Sequence, residues 1–271
     1  MDVLNEYSLD EIYIRHAVDT SPADNRYGFH VHDKCEIFFF ISGNAEYLVE
    51  GSVYPLTRGS TLIMRAGEAH CIHILHPERY ERYAVNFPIS LFDSIDPKRS
   101  LTALYTDREL GSGNLYTDDD FDPIFKDMFE DGLDKYQRSV RASVCIMTIL
   151  DKLNRQHTGL NNSVLPSFEQ QIISYVNEHL FDDITADKLA QHFYISRSQL
   201  GRVFRRAAGA APWEYITAKR LVAAKDMIDN GMTAKKAALS CGFGDYSCFY
   251  RAYLKRFGTS PKGTITDNDK I

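Results

Sequence analysis

SRSQLGRVFRRAAGAAP (residues 196–212) returns in altered form as DYSCFYRAYLKRFGTSP (residues 245–261), and that return decides how the chain is read. At an offset of 49 residues, Leu200 pairs with Phe249, Arg202 with Arg251, Phe204 with Tyr253, Arg206 with Lys255, Gly209 with Gly258 and Pro212 with Pro261. The segments upstream also pair, Ala190 with Ala238, but at an offset of 48, so the second unit has a turn one residue longer. Each unit reads as a short helix, a tight turn and a second helix rich in Arg and small polar residues. That is the form in which a second helix enters the major groove of double-stranded DNA.

The helical period sorts the side chains. Leu200, Val203, Phe204 and Ala207 share a buried side, leaving Arg197, Ser198, Gly201, Arg202 and Arg205 outward. In the second unit Phe249, Tyr253 and Ala252 turn inward, leaving Tyr246, Ser247, Tyr250 and Arg251 outward. Arg202 and Arg251 each offer a two-pronged donor suited to guanine, whereas Arg197, Arg205, Lys255 and Arg256 suit phosphates. Thr185 and Ser196 are expected N-caps, and Pro212 opens a long helix over residues 213–230 that Gly231 ends. At about 1.5 Å per residue that helix is on the order of 27 Å long, enough to hold the units about one DNA turn apart.

The net charge of -6 looks wrong for a partner of DNA until it is divided along the chain. Residues 164–264 hold 14 Lys and Arg against 9 Asp and Glu, while residues 1–163 hold 16 against 26. One part can approach phosphates and the other is repelled by them. The composition, 44% hydrophobic and 25% charged over 271 residues, is that of a globular chain with room for two cores. The longest strongly apolar run, residues 37–41, is too short to span a membrane, and the acidic, polar start is no signal peptide; a cytoplasmic protein is expected. Cys35, Cys71, Cys145, Cys241 and Cys248 show no metal-finger spacing and read as reduced, mostly buried thiols.

Leu189-Ala190 … Ser196-x-x-x-Leu200-x-Arg202-x-Phe204-Arg205 … Gly209-x-x-Pro212-x-x-Tyr215-Ile216-x-x-x-Arg220-Leu221-x-x-Ala224 is followed by Gly242-Phe243-x-Asp245-x-Ser247-x-Phe249-x-Arg251 … Gly258-x-Ser260-Pro261. Over residues 168–263 this resembles the DNA-binding domain of AraC-type transcription regulators. The resemblance implies two helix-turn-helix units on one long helix, reading adjacent major-groove segments. It also implies base contacts from Ser198, Gly201, Arg202, Tyr246, Ser247, Tyr250 and Arg251. Departures are Gly201, which has no side chain for readout, Ala237 in place of a larger apolar residue, and Lys262-Gly263-Thr264 where Tyr-Arg is usual.

Upstream, short apolar or alternating runs at residues 36–42, 45–50, 53–56, 61–64, 71–75 and 82–87 are broken by Ser42-Gly43-Asn44, Glu50-Gly51-Ser52 and Arg58-Gly59. Such punctuation predicts an antiparallel barrel or sandwich. Helices are expected near residues 123–136 and 140–157, the second with a stripe of Val140, Val144, Met147, Leu150 and Leu153. His30-x-His32-x-x-x-Glu36 with Gly43, then Gly59 … Gly67-x-x-His70, resembles the two motifs of the cupin barrel, a domain many AraC-type regulators carry.

The expected architecture is therefore two-domain α+β. Residues 1–158 form an antiparallel cupin-like β-barrel with accessory helices, for effector sensing and dimerisation. Residues 159–166 are a linker, and residues 167–264 an all-α double helix-turn-helix domain. The effector-binding candidates are His30, His32, Glu36, Tyr47 and His70, with Arg65 as a further one. Three His and a Glu would also suit a divalent metal such as Mn, Fe, Zn or Ni. Arg65 and Ile74, where the second cupin motif usually has proline and asparagine, favour a polar pocket wall over an occupied metal site. The chain thus reads as an effector-controlled regulator and not an enzyme, acting as a homodimer on DNA and the transcription machinery. A sugar is the effector most frequent in the family. Two other readings are a metal-dependent cupin enzyme with a DNA-binding appendix and a barrel that serves only to dimerise. No general base or lid is recognisable for the first.

Overall fold

Alternation along residues 35–40 sets the two faces of the N-terminal sheet. Ile37 and Phe39 enter one apolar cluster with Ile14, Val85 and Ile146, while Phe38 and Phe40 enter another with Tyr47, Leu62, Met64, Ile72 and Tyr80. Successive side chains leave a strand on opposite sides, so one run of aromatics feeds both cores. The computed structural model describes residues 2–23, 27–117, 121–156 and 166–261. Its strands are β1 (Asp2–Leu9), β2 (Ile12–Asp19), β3 (Cys35–Val49), β4 (Ser52–Pro55), β5 (Ser60–Met64), β6 (His70–Phe87) and β7 (Leu115–Thr117). They form a cupin-like antiparallel sheet in the order β1-β2-β6-β3-β5-β7, with β4 on β3.

Two strands are longer than the sequence suggests. The turn expected at Ser42-Gly43-Asn44 is a bend inside β3, where its pairing with β6 shifts register between Phe40 and Ala45. Gly43 has φ +128°, and a Cβ there would lie 3.1 Å from the Tyr80 ring, so only glycine lets the strands cross this closely. Because β3 and β6 run through, Glu36 faces Asn86 near one end of the ladder and Val49 faces His70 at the other. The turn expected at Glu50-Gly51-Ser52 does join β3 to β4, with Glu50 itself at φ +48°.

Helices α1 (Ala103–Thr106), α2 (Asp122–Asp127) and α3 (Lys135–Arg155) accompany the sheet, and α2 and α3 cover the outer core. The helix expected over residues 123–136 stops at Asp127, because Asp134 caps α3 reciprocally with Gln137 and starts a new axis. The expected stripe on α3 also needs correction. Val140 and Val144 are 48% and 50% exposed, and Ala142, Cys145, Ile146, Ile149, Leu150 and Leu153 carry the packing.

The C-terminal part comprises α4 (Phe168–Glu178), α5 (Ala186–His192), α6 (Arg197–Ala208), α7 (Pro212–Asp229), α8 (Ala234–Ser240) and α9 (Tyr246–Phe257). Helix α7 is a shared spine: Tyr215, Ile216, Ala218 and Val222 belong to the core around Phe204, whereas Leu221, Ala224 and Ile228 belong to the core around Phe249. The first core also takes in Val31 and Ala69 from the N-terminal part. Burying a ring such as Phe204 or Phe249 contributes about 1.5–3 kcal/mol, so each unit is anchored to the spine by its own aromatic. Of the linker only Pro166 falls among the described residues, and Lys262, Gly263 and Thr264 lie outside them. Among the described residues no helix is long and apolar enough to cross a membrane. The cysteines are free thiols, all buried except Cys248.

Candidate nucleic-acid interface and histidine cluster

Ser196 caps α6 by accepting from Gln199 N, and Gln199 returns a bond to Ser196 N, while Asp245 caps α9 by accepting from Ser247 N and Cys248 N. Gly209 and Gly258 end the two helices in the left-handed region, at φ +68° and +70°. Each turn before the second helix also needs a positive φ at one position. The first unit uses Tyr194 (φ 54) and the second, 48 residues on, uses Gly242 (φ 76). A Cβ on Gly242 would lie 2.7 Å from the Phe181 carbonyl, so the second unit has no room for the first unit's choice.

These caps and turns fix what the two helices present. Arg197, Ser198, Arg202 and Arg205 are exposed on α6, and Gly201 is half-buried between them. Tyr246, Ser247, Tyr250, Arg251 and Lys255 are exposed on α9. A Cβ on Gly201 would meet nothing nearer than Arg205 Nη1 at 3.9 Å, so the missing side chain leaves open space on this face. The cations differ in how they are held. Arg197 is gripped through two nitrogens by Asp187 across the helix-turn-helix turn, and Arg206 pairs with Glu169. Among the described residues Arg251 bonds within α9, to Ser247 O at 3.3 Å and Cys248 Sγ at 3.5 Å. Arg256, read from sequence as a phosphate contact, instead donates to Val31 O in the N-terminal part.

Beneath both units lies a residue that sequence reasoning passed over. Arg220 on α7 is buried and donates to three carbonyls, those of Leu180, Asp182 and Gly242, each at 2.7 Å. It ties the loop after α4 to the turn of the second unit. Its Arg-Leu signature was visible in the sequence, but its carbonyl partners were not.

In the sheet, His30 and His70 lie opposite each other, joined by backbone bonds of 3.0 Å both ways. One ligand atom from each of His30, Glu36 and His70 lies within 4.8 Å of the others, in the part of the sheet where Tyr47 stacks on His70 at 5.9 Å. The imidazole of His32 bonds Glu36 Oε2 at 2.7 Å, and Asn86, absent from the expected set, donates to the same oxygen at 3.0 Å. Arg65 does not join them, turning to the carbonyls of Tyr105 and Arg108.

The Nδ1 atoms of the three histidines meet backbone carbonyls: Gly28 O at 3.0 Å for His30, Lys34 O at 2.7 Å for His32 and Glu68 O at 2.7 Å for His70. Those contacts assign the proton to Nδ1 and leave Nε2 as the free donor atom in a neutral ring. For His32, the carboxylate at Nε2 and the carbonyl at Nδ1 favour the imidazolium. Burial opposes it, but the bond to Glu36 wins and raises the His32 pKa. Burial likewise opposes the Glu36 carboxylate, yet His32 and His70 hold it well below the usual range. His30 keeps an exposed edge, and the protein packed around it, with His70 beside it, lowers its pKa to about 3. His70 Nε2 is buried 3.4 Å from Glu36 Oε2 without making a hydrogen bond. Two or three nitrogen lone pairs and a carboxylate converging in this way form a donor set that a divalent cation satisfies, and it would replace the His32 proton.

Comparison with known proteins gives two family matches. Residues 17–143 match the AraC-like ligand binding domain and residues 189–266 match a helix-turn-helix domain. The transcriptional regulator ArgR of Pseudomonas aeruginosa is 28% identical over 127 residues, covering 46% of this chain and 39% of that protein. The transcriptional activator RhaS of Salmonella schwarzengrund is 27% identical over 104 residues, 37% of each. The aligned part thus spans under two-fifths of these relatives. An apo ToxT structure from Vibrio cholerae aligns over 93% of this chain and 95% of its own, at 13% identity and a TM-score of 0.44.

Proposed function

As the chain belongs to the AraC-type transcription regulators, we propose that it binds double-stranded DNA sequence-specifically through α6 and α9, under the control of a small molecule held by the N-terminal sheet. The observation that carries this reading is the equivalence of Arg202 and Arg251. The repeat pairs them, both are exposed, and both stand on helices anchored to the one spine, α7. Guanidinium forks at matched positions of two rigidly linked helices suit two successive major-groove segments. Ser198, Tyr246, Ser247 and Tyr250 flank them as further base contacts, and Arg205 and Lys255 as phosphate contacts. In this reading the protein acts as a homodimer with the transcription machinery, in the cytoplasm, and its sheet senses and does not catalyse. Selecting duplexes from a random pool with the full-length protein, at a stated salt concentration, tests it. Enrichment of sites with two conserved blocks about one helical turn apart is expected, and a pool that stays random after repeated rounds would refute it.

The histidine cluster favours a particular ligand chemistry. His30, Glu36 and His70, with His32 after loss of its proton, would hold a divalent transition metal, which would supply a charge and open positions for an oxygen-bearing effector such as a sugar. Titration calorimetry with Zn(II) is expected to show one equivalent per chain, weakened at least tenfold in His70→Gln, since removing one of these ligands forfeits much of the binding. Equal affinity in the variant, or no uptake by the parent, would remove the metal and leave an organic effector alone.

A further inference from the structure

The segment before β3 has two sides. His30 and His32 turn to Glu36, while the alternate residues meet the C-terminal helices: the Phe29 ring lies 5.7 Å from that of Tyr215, Val31 enters the core around Phe204, and Asp33 pairs with Lys225 at 2.8 Å. Beside this segment, the β3–β4 turn carries the side chain that joins the two parts most completely. Glu50 is 5% exposed and holds its backbone at φ +48°. One carboxylate oxygen takes Lys219 Nζ at 2.5 Å and Ala69 N at 2.6 Å; the other takes the Tyr215 hydroxyl and Asn177 Nδ2, the latter at 2.8 Å. Lys219 is 6% exposed and Tyr215 fully buried. Four donors from α4, α7 and the approach to β6 therefore saturate a single carboxylate at the joint.

The surroundings make this an orienting contact. Gly51 and Gly209 bring backbone close across the joint: a Cβ on Gly51 would lie 3.2 Å from Ile173 and one on Gly209 only 2.7 Å from Cys71 Sγ. A buried ion pair gains little net stability over apolar packing, because both ions were solvated before they met, yet it rejects arrangements that leave either ion dry and unpaired. If the two parts separated, water would take back both charges, so half-separated arrangements that keep either ion dry and unpaired are disfavoured. Its tie to the sheet runs through Ala69, whose N–H and carbonyl both bond Glu50, and the next residue is His70 of the histidine cluster.

We propose that Glu50 is an interdomain latch, by which the N-terminal sheet grips α7 and sets the direction in which the two DNA-reading helices point. The reading faces of α6 and α9 stay exposed when the latch is closed, so it acts by aiming them and not by covering them. The aiming half rests on the proposed function; the grip itself does not. Hydrogen exchange on the full-length protein without DNA tests the grip. In Glu50→Gln, amides of residues 28–33 and 215–222 are expected to exchange at least tenfold faster, with the central residues of β3 and α3 unchanged. Unchanged exchange in both segments would overturn the latch. If protection falls throughout the sheet as well, Lys219→Gln, which alters only the helix side, decides by the same two segments. Selection from the random pool then tests the aiming. In the proposed homodimer the variant is expected to accept spacings between the two protomers' sites that the parent rejects, while the spacing of the two blocks within one site, set by α7, stays the same. Spacing between protomers' sites identical to the parent's, with the grip already lost, would overturn that half. A parent that enriches no DNA overturns the aiming half together with the proposed function and leaves the exchange result standing.

Discussion

Arg220→Ala is expected to destabilise the C-terminal helices by about 3–5 kcal/mol, read as a shift of their unfolding transition in urea. The guanidinium is buried, and its three 2.7 Å bonds end on the carbonyl of Leu180, in a buried contact, and on those of Asp182 and Gly242, in half-buried ones. Each carbonyl left without its donor costs about 1–3 kcal/mol, and local relaxation returns part of the sum. The turn at Gly242 has little freedom to relax, because it already sits against the Phe181 carbonyl. Arg220→Lys places one ammonium where three N–H groups diverged and is expected to fall between the two. A loss below about 1 kcal/mol in Arg220→Ala would mean that the apolar cores alone hold the second unit on α7.

Arg202→Ala and Arg251→Ala are each expected to lose roughly 1–3 kcal/mol, or about five- to 150-fold, at a specific site, with a smaller change on random duplex. Among the described residues Arg251 makes long contacts within its own helix, which DNA can displace at low cost. Arg197 differs, since Asp187 already holds it through two nitrogens and phosphate must compete with that pair. Arg197→Ala is therefore expected to weaken binding less and without regard to sequence. Titrations followed by fluorescence anisotropy at two salt concentrations separate the cases, because losing a phosphate contact lowers the salt slope and losing a base contact does not.

Much of the C-terminal half was legible because its signals are local and occur twice. Ser196, Gly209, Pro212 and Gly258 mark helix ends by backbone chemistry that does not depend on distant residues. The sheet was harder. Polar residues such as Asn5, Glu6, Arg15 and His16 hid β1 and β2, and Gly43, a sound turn signal, proved to be a bend in a continuous strand. On α3 the true stripe runs through Ala142 and Cys145, which are too small to stand out against Val140 and Val144. The histidines were named from their spacing, whereas Asn86 reaches Glu36 only through the register of β3 on β6. Glu50 beside Gly51 reads as a solvated turn residue, and Lys219 as a solvated helix residue. Nothing local shows that they meet 169 positions apart.

The most direct test of a two-unit reader is to repeat the random-pool selection with Arg202→Ala and Arg251→Ala separately. If α6 and α9 each read one major-groove segment, each variant will lose base preference in one block of the selected site and keep it in the other, and the two variants will lose different blocks. Loss of the same block in both, or sites indistinguishable from the parent's, would contradict the assignment of one segment to each helix.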